Sequence, residues 1–394
     1  MRLLLLAKRT AAHGIGGLET HVLLFGRVAA ELGHEVIVVT TAHPEGRREE
    51  AREGVRIEYL DAPPGVYSRA WWDLSAEAVR RLLADGGANL LLSISLAGYG
   101  VAQAGFPTPP HYAFFSGEAL LHLASEWHDR AGLRDALLYP KRAASLLYYA
   151  RLEHRYWKRL TGIIATYDGL YDSLRRRGWP VSLCYSGTDV RLFRPHPDRR
   201  TTIRQARGIP AGATVLLMVA TVNRQKGIWV GVEAFRRLAA RWPDLHLLVV
   251  GDGPDRPRLE RLLRGSPAGA RVHWAGELPL EAVAAYNAAG DLLLYPTFRA
   301  EGLPSTIMEA MAVGLPVVAS DRGGIRSGVR DGETGLLLPA PDPRALEAAV
   351  ARLLADPPLR EKLAQGARQL AMERFDIQAL VPRLLATLGG GARS

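Results

Sequence analysis

Two glutamates around a short Gly/Pro loop carry the strongest chemical signal in the chain. Glu301 begins the loop, residues 302–306 continue it as Gly-Leu-Pro-Ser-Thr, and Glu309 lies about one turn into the predicted helix that follows. The N–H groups at such a helix start favour a phosphate. The two carboxylates can contact one ligand from different positions along the loop and the helix. Each carboxylate can accept a pair of hydrogen bonds from vicinal hydroxyls. The segment therefore predicts a site for a ligand that carries both phosphate and hydroxyl groups.

A basic turn, Arg224-Gln225-Lys226-Gly227, follows a predicted strand at residues 214–220 and opens a helix. Two cations beside a helix start suit a diphosphate whose charge grows as a glycosidic bond breaks, and such electrostatic stabilisation is often the largest catalytic contribution. Lys226 and Arg224 are therefore catalytic candidates together with Glu301. A solvated basic turn without chemistry is the alternative interpretation.

A glycine-rich turn in the first half, residues 13–19, reads His-Gly-Ile-Gly-Gly-Leu-Glu after the first predicted strand. Glycines there allow a phosphate to approach the backbone, which makes Gly16 and Gly17 candidates for anion binding. As a dinucleotide fingerprint the match is poor, because Glu19 replaces the third glycine and the second strand ends without an acidic residue. An oxidoreductase is therefore disfavoured, and a purely steric role for the glycines stays open.

The elements that position these residues follow from hydrophobic periodicity. Short apolar runs alternate with helical patterns, which predicts two successive doubly wound α/β domains with ligands at the carboxyl ends of their parallel strands. Strands are predicted at residues 3–7, 35–41, 55–60, 90–95, 111–115, 162–166, 214–220, 245–251, 272–275, 292–296 and 316–320. Helices are predicted at residues 17–32, 75–84, 133–160, 228–241, 257–264, 280–288 and 305–313. The predicted divisions are a first domain at residues 1–190, a linker at 191–200, a second domain at 201–370 and a C-terminal helix within 371–394 that packs back toward the first domain.

Composition narrows the class of protein. Among 394 residues, 48% are hydrophobic and 23% charged, which is typical of globular proteins. One cysteine, Cys184, excludes an internal disulfide, and no signal peptide or spanning segment is apparent, so a cytoplasmic protein is expected. The net charge is +10, but the sequence contains no nucleic-acid-binding motif, so nucleic acid is not an expected partner.

The spacing of Glu301 and Glu309, with seven residues between them, resembles the EX7E motif of the retaining GT-B glycosyltransferases of family 4. The resemblance extends over roughly the whole chain and is more specific in the second half. It is carried by residues 186–195, by 272–276 with Tyr286 and Asp291, by 323–325 and by 331–336. It implies a GT-B fold, with two Rossmann-like domains facing a deep cleft, of which residues 1–190 bind the acceptor and residues 201–370 bind the nucleotide sugar. It also implies transfer of a sugar from a nucleotide-diphosphate donor with retention of anomeric configuration. It also implies that no metal or other cofactor is needed, and that the acceptor is a glycan, a lipid-linked molecule or a small molecule.

The resemblance also implies a role for each matching residue. Glu309 holds the ribose hydroxyls, Glu301 holds the transferred sugar, and Lys226 neutralises the diphosphate. Base selection falls to the loop at Glu277 and Leu278. The implied donor-binding set is Gly16, Gly17, Glu277, Leu278, Gly302, Leu303, Pro304, Ser305, Thr306 and Glu309.

Three positions depart from the family pattern. Thr221 replaces a frequent arginine, for which Arg224 is the nearest substitute. Ser116 and Glu118 occupy the region of a frequent histidine, and with His13 they form the acceptor-side candidates. Ser327 replaces a frequent glutamate. Alternatives therefore stay open: an inverting transferase, a sugar-nucleotide epimerase, a non-catalytic nucleotide-sugar sensor, or a phosphorylase-like enzyme with pyridoxal phosphate on Lys226.

A basic and aromatic stretch predicts peripheral contact with an anionic membrane at its inner face, or a lipid-linked acceptor, because cations flanked by Tyr and Trp suit anionic headgroups. A solvated helix whose aromatic side packs on the core is the alternative. The stretch comprises Lys141, Arg142, Tyr148, Tyr149, Arg151, Arg155, Tyr156, Trp157, Lys158 and Arg159, with Trp71, Trp72 and residues 175–179 nearby.

Overall fold

The computed structural model describes residues 1–14, 16–119 and 133–390. The chain forms two compact units, one of Met1–Gly187 with Ile377–Ser394 and one of Thr188–Asp376. Each unit is built on its own sheet, and helices connect successive parallel strands within both units.

The first unit contains an eight-stranded sheet in the order β3-β4-β2-β1-β5-β6-β7-β8, in which only the β3–β4 pair is antiparallel among the described strands. Its strands are β1 Arg2–Leu6, β2 Glu35–Thr40, β3 Glu49–Arg52, β4 Val55–Tyr59, β5 Leu90–Ile94, β6 His111–Phe115, β7 Gly162–Ala165 and β8 Val181–Leu183. Its helices are α1 Gly17–Glu31, α2 Arg69–Ala84, α3 Tyr99–Gln103, α4 Leu133–Trp157 and α5 Asp168–Arg176, and α13 Ile377–Gly390 joins them from the end of the chain. The central strands are mostly apolar and mostly buried because both faces of the sheet are covered.

The second unit contains a six-stranded parallel sheet in the order β11-β10-β9-β12-β13-β14. Its strands are β9 Thr214–Val219, β10 Leu245–Val250, β11 Val272–Gly276, β12 Leu292–Tyr295, β13 Val317–Ser320 and β14 Gly335–Leu338. Its helices are α6 Pro197–Ala206, α7 Ile228–Ala239, α8 Arg256–Leu263, α9 Leu280–Ala289, α10 Ser305–Val313, α11 Pro343–Ala355 and α12 Pro357–Arg374. The order places β9 directly beside β12, so the loops that follow these two strands leave the sheet next to each other.

A partly buried charge cluster fixes α6 to this sheet. The Asp291 carboxylate, just before β12, accepts hydrogen bonds from Arg200 at 2.6 Å, Arg204 at 2.7 Å and the Val215 backbone N–H at 2.7 Å. Arg204 is buried and also donates to the carbonyl oxygen of Ala289. The cluster satisfies a charge that would otherwise be costly to bury.

The last helix, α13, belongs to the first unit. Val381, Leu384 and Leu388 are buried in the same cluster as Leu3 and Phe25. The chain thus passes from the first unit to the second after Gly187 and returns after Asp376. The returning helix completes the core on the side of β1 that α1 also covers.

Most predicted elements agree with the structure to within one or two residues, and three differences have physical reasons. Helix α2 begins at Arg69 instead of residue 75, because the Ser68 hydroxyl accepts the backbone N–H of Trp71 and caps an earlier start. The linker expected at residues 191–200 is shorter, because Pro197 takes the first position of α6 and the His196 side chain caps it. Strand β3 was not predicted, because its sequence Glu-Glu-Ala-Arg is polar.

The basic and aromatic stretch separates into two faces. Tyr156 and Trp157 are buried on α4, and Trp71 is fully buried on α2, so these three aromatic residues belong to the core and not to a surface. Tyr148 is 53% exposed, and Arg151 and Arg155 are exposed beside it. The side chains of Lys141 and Arg142 lie outside the described residues. In the described part of the chain, no helix combines the length and apolar character that crossing a bilayer requires.

Candidate functional site

The Lys226 ammonium lies against the Glu301 carboxylate at the carboxyl edge of the second sheet. Its Nζ is 2.8 Å from both Oε1 and Oε2 of Glu301 and 3.1 Å from the Tyr295 hydroxyl. The Tyr295 hydroxyl donates to Glu301 Oε1 at 2.9 Å. The side chains of Lys226 and Glu301 are 17% and 22% exposed, so the pair is largely withdrawn from water but still accessible. Two residues predicted to serve one ligand are therefore in direct contact.

Tyr295 is the buried member of this group and was not among the predicted site residues. Burial, followed by the charge of Glu301, raises the pKa of the Tyr295 hydroxyl well above its ordinary value. The hydroxyl therefore stays protonated and donates to the carboxylate. Its position as the last residue of β12, directly before the Gly/Pro loop, was the available signal, because residues at the carboxyl ends of parallel strands face the ligand edge.

Close backbone contact holds the Lys226 turn against the loop after β12. Gly227 has φ of 70°, and a Cβ atom there would lie 1.8 Å from the carbonyl oxygen of Pro296. The Phe298 N–H donates to the carbonyl oxygen of Gln225 at 2.9 Å. The Asn223 side chain accepts the backbone N–H of Lys226 at 2.9 Å and caps the turn. Only glycine permits this approach, so position 227 fixes where the lysine side chain begins.

The Glu301 loop is held from a second side by the turn after β13. Gly323 has φ of 52°, and a Cβ atom there would lie 2.1 Å from the carbonyl oxygen of Glu301. The Gly324 N–H donates to the same oxygen at 2.7 Å. Gly302 and Leu303 are buried below the loop. The backbone of Glu301 is thus fixed on both sides, while its side chain points to Lys226.

Helix α10 begins directly after this loop without a side-chain cap, because its N-cap residue is Pro304. An uncapped helix start leaves N–H groups at Ser305 and Thr306 for an anion. The Thr306 hydroxyl instead donates to the carbonyl oxygen of Val219 at 3.3 Å and ties α10 to β9. The Thr306 side chain thus serves the fold, while its backbone lies in the uncapped first turn of α10.

Glu309 lies one turn inside α10 and is buried. Burial raises the pKa of its carboxyl to about 7, and a hydrogen bond from Ser305 opposes that rise. A carboxyl with this pKa gains from any ligand that donates hydrogen bonds to its ionised form. Hydroxyl groups that donate hydrogen bonds to the Glu309 carboxylate would therefore lower its pKa.

Two other predicted groups lie at neighbouring positions of the same edge. Glu277 and Leu278 follow β11, and Glu277 is exposed. Arg224 is exposed in the same turn as Lys226 but lines a cavity with residues of α7 and α8, apart from the contacts of the Lys226–Glu301 pair. Within the described residues, no group of three or more His, Cys, Asp or Glu side chains is arranged to hold a metal ion.

In the first unit, the His13 imidazole connects two backbone segments, at Thr10 and at Ala42. Its Nδ1 accepts the backbone N–H of Thr10 at 3.0 Å, and its Nε2 lies 3.0 Å from the carbonyl oxygen of Ala42. Burial lowers the pKa of the imidazole. Both ring nitrogens are therefore engaged by backbone groups. The structure does not bring this acceptor-side candidate to a free position.

Gly16 is the N-cap residue of α1, and Gly17 is the first residue of that helix. A Cβ atom at Gly16 would lie 2.4 Å from Oε2 of Glu19, whose carboxylate also pairs with Arg9 at 3.3 Å. A glutamate at this third helical position reaches back toward the N-cap. The predicted anion site at Gly16 and Gly17 is therefore covered by the chain's own carboxylate.

Glu118 is buried just after β6 and accepts from Arg177 Nη1 at 2.6 Å. Nearby, Glu153 of α4 accepts the Ala119 N–H at 3.0 Å, and burial, with the neighbouring Glu118 charge as a lesser cause, raises the Glu153 pKa to about 7. Ser116 precedes this cluster and is half-buried. The acceptor-side candidates thus include a second carboxyl, Glu153, whose position on a helical face gave no local signal.

Comparison with known proteins identifies two domains. Residues 16–185 match the family model described as "Glycosyl transferase 4-like domain", and residues 199–370 match the one described as "Glycosyl transferases group 1". Together the two matches cover most of the chain. The expectation of group 1 and family-4-like domains is therefore confirmed.

Individual relatives extend this result. The chain is similar to the alpha-D-kanosaminyltransferase of Streptomyces kanamyceticus, with 30% identity over 56% of this chain and only 58% of the relative's length. It is 27% identical to the phosphatidyl-myo-inositol mannosyltransferase of Mycobacterium leprae over 94% of this chain and 92% of that one. A sucrose-phosphate synthase structure from Thermosynechococcus elongatus matches with a TM-score of 0.82 and 25% identity, and each chain is fully covered. The expected GT-B fold of two Rossmann-like domains is confirmed.

The contact between Gly227 and Pro296 predicts a position-specific loss of stability. Alanine in the left-handed region costs roughly 1–2 kcal/mol at either Gly227 or Gly208, which has φ of 65° and open space around it. At Gly227 the clash adds about 1–3 kcal/mol or more. We expect urea unfolding to show a markedly lower midpoint for Gly227→Ala than for Gly208→Ala. Equal losses in the two variants would contradict the steric role of Gly227.

Proposed function

We propose, for a chain that carries a glycosyl transferase 4-like domain followed by a glycosyl transferases group 1 domain, an enzyme that transfers a glycosyl group from a nucleotide-diphosphate sugar to an acceptor. The observation that carries the proposal is the Lys226–Glu301 pair beside the uncapped start of α10. A cation, a carboxylate and free helix N–H groups at one edge suit a ligand that carries phosphate next to sugar hydroxyls.

The proposed binding step is an exchange of partners. In the free chain the Lys226 ammonium directs hydrogen bonds to Glu301 and Tyr295. A diphosphate carries more negative charge than one carboxylate, so Lys226 turns toward it and Glu301 becomes free to accept hydroxyls of the transferred sugar. The start of α10 adds N–H donors to the phosphate, and these stabilise the leaving diphosphate as its charge increases.

The finer features of the proposal rest on the EX7E resemblance. Glu309 takes the ribose hydroxyls, transfer retains the anomeric configuration, and no metal is required because Lys226 and the helix start stabilise the leaving group. The acceptor is a glycan or a lipid-linked molecule, in keeping with the relative named a phosphatidyl-myo-inositol mannosyltransferase. An inverting transferase, an epimerase and a non-catalytic sensor are distinguished from this proposal by product analysis.

Glu301→Gln is expected to lower glycosyl transfer by about 10²–10³-fold, because the amide loses the charge that balances Lys226 and accepts hydroxyls less strongly. The matched control is Glu333→Gln, whose side chain is 67% exposed, and it should retain wild-type turnover. Transfer is measured with a panel of nucleotide sugars and with lipid and glycan acceptors, and thermal unfolding verifies that both variants are folded.

The wild-type product of the same assay tests retention and metal use. We expect the donor's anomeric configuration in the product by NMR, and unchanged turnover in the presence of EDTA. An inverted product would overturn the retaining mechanism, and wild-type turnover by Glu301→Gln would overturn the role of that carboxylate. Donor binding without transfer to any acceptor would favour a sensor.

Donor binding is expected to release a proton near neutral pH through Glu309. The free carboxyl has a pKa raised to about 7, so its contribution to folding is present at low pH and is lost as pH rises through 7. Ribose hydroxyls that donate to the carboxylate favour its ionised form, so binding lowers this pKa and affinity increases with pH through 7.

The measurement is titration calorimetry with nucleotide sugars in buffers of different ionisation enthalpy. Nucleotide sugars are used because the terminal phosphate of a free nucleoside diphosphate itself titrates near neutral pH. Glu309→Gln should bind without this proton release. If wild type and Glu309→Gln release equal numbers of protons, Glu309 does not contact the ribose.

The exposed face of α4 supports peripheral contact with anionic membranes as part of the same proposal. Arg151 and Arg155 lie one turn apart beside exposed Tyr148. We expect co-sedimentation with anionic vesicles at low salt and its loss in Arg151→Glu/Arg155→Glu. The control Arg264→Glu/Arg344→Glu makes the same change of charge in the second unit and should retain binding. Equal loss in both double variants, or no sedimentation of the wild type, would refute membrane contact through α4.

A further inference from the structure

A cavity of about 700 Å³ lies in the second unit and is lined by residues of α7, of α8 and of the turn before α7. Its lining includes Arg224, Trp229, Asp255, Arg258, Arg261 and Leu262. The volume falls in the range typical of small-molecule sites. Nothing in the proposed glycosyl transfer uses the residues from α7 and α8.

Three arginines and two acidic residues line the cavity. Arg224, Arg258 and Arg261 have no ion-pair partner among the residues that the structure describes. The lining also includes Glu233, but its carboxylate is already bound by Arg236 at 2.8 Å and Arg237 at 3.1 Å. Asp255 is the remaining acid. Guanidinium groups bind phosphate oxygens in pairs, so the cavity favours a phosphate over a neutral ligand.

The rest of the lining suits a ring. Trp229 is stacked on Phe298, with ring centroids 6.2 Å apart and planes at 17°, so its indole is fixed. Leu262 is 48% exposed at the rim, and Leu259 is buried below. A planar aromatic ring or the apolar face of a sugar ring covers such a surface. Asp255 provides an acceptor for a hydroxyl.

We propose that this cavity, here called the α7–α8 cavity, binds a small phosphate monoester with its ring on Trp229 and Leu262 and its phosphate on Arg258 and Arg261. Arg224 lines the same cavity and lies two residues before Lys226, in one turn. The cavity thus contacts the turn that carries the candidate catalytic lysine. Binding there goes beyond the proposed transfer reaction and does not depend on it.

The test uses the full chain labelled with 5-fluorotryptophan and observed by fluorine NMR. The chain has 8 tryptophans, and Trp229→Phe assigns the signal of Trp229. Phenyl phosphate and glucose 6-phosphate are added separately, with inorganic phosphate and glucose as controls. We expect a saturable shift of the Trp229 signal with at least one monoester, and the more effective monoester identifies an aromatic or a sugar ring.

Variants test the assigned cations. Arg258→Ala/Arg261→Ala should raise the apparent Kd of the monoester, taken from the titration of the Trp229 signal, at least about tenfold. Two charge-assisted contacts with the phosphate are lost in this variant. Arg264→Ala removes an exposed arginine next to α8 that does not line the cavity, and should leave the shift unchanged.

Three results would overturn the proposal: a Trp229 signal that neither monoester moves, an equal response to inorganic phosphate alone, or equal effects of the double variant and Arg264→Ala. Thermal shift by nucleotide sugars is measured in parallel. The double variant should retain this response, which separates failure of the cavity proposal from failure of the proposed transfer reaction.

Discussion

Direct contact between two loops that are far apart in sequence is the constraint on which the site depends. Lys226 and Glu301 meet because β9 and β12 are neighbours in the sheet and because Gly227 has no side chain to keep Pro296 away. A partly buried ion pair contributes little net stability once desolvation is counted, although removing one partner is costly. The ion pair therefore contributes little to holding the two loops together. Its more important property is that a charged ligand can replace one of its partners.

Glu309 differs from Glu301 because it is buried at a position where burial disfavours the charged form of its carboxyl. Its helix is otherwise apolar on the inside, with Ile307, Met308 and Met311 fully buried. An apolar residue at position 309 would pack at lower cost, since burial of an ionisable group without a cation is unfavourable. Perturbed carboxyls of this kind concentrate at functional sites, where stability is lost for the sake of binding. Glu301 and Glu309, with seven residues between them, thus differ electrostatically: the charge of Glu301 is paired with Lys226, whereas burial favours protonation of Glu309.

The sequence predicted those features that local patterns determine. Central strands were located because parallel strands covered on both faces are mostly apolar. The predicted ends of α10 agree with the structure, in which Pro304 is the N-cap residue and Gly314, at φ of 88°, follows the helix. The contact of Lys226 with Glu301 and Tyr295 was not predictable, because it depends on strand order. The burial of Tyr156 and Trp157 agrees with the alternative stated for this stretch, in which the aromatic side of the helix packs on the core. Composition alone did not decide between the two interpretations, since a helix rich in both arginine and aromatic residues does not indicate which face meets the core.

The two predicted phosphate positions differ in whether a side chain of the protein already covers them. At the start of α1, the Glu19 carboxylate already lies against Gly16 and is held by Arg9. At the start of α10, Pro304 supplies no competing side chain. An anion approaching Gly16 must displace a carboxylate and separate an ion pair, whereas one approaching Ser305 meets N–H groups that lack a cap. Of the two predicted positions, the one at the start of α10 is therefore the more accessible to an anion in the free chain.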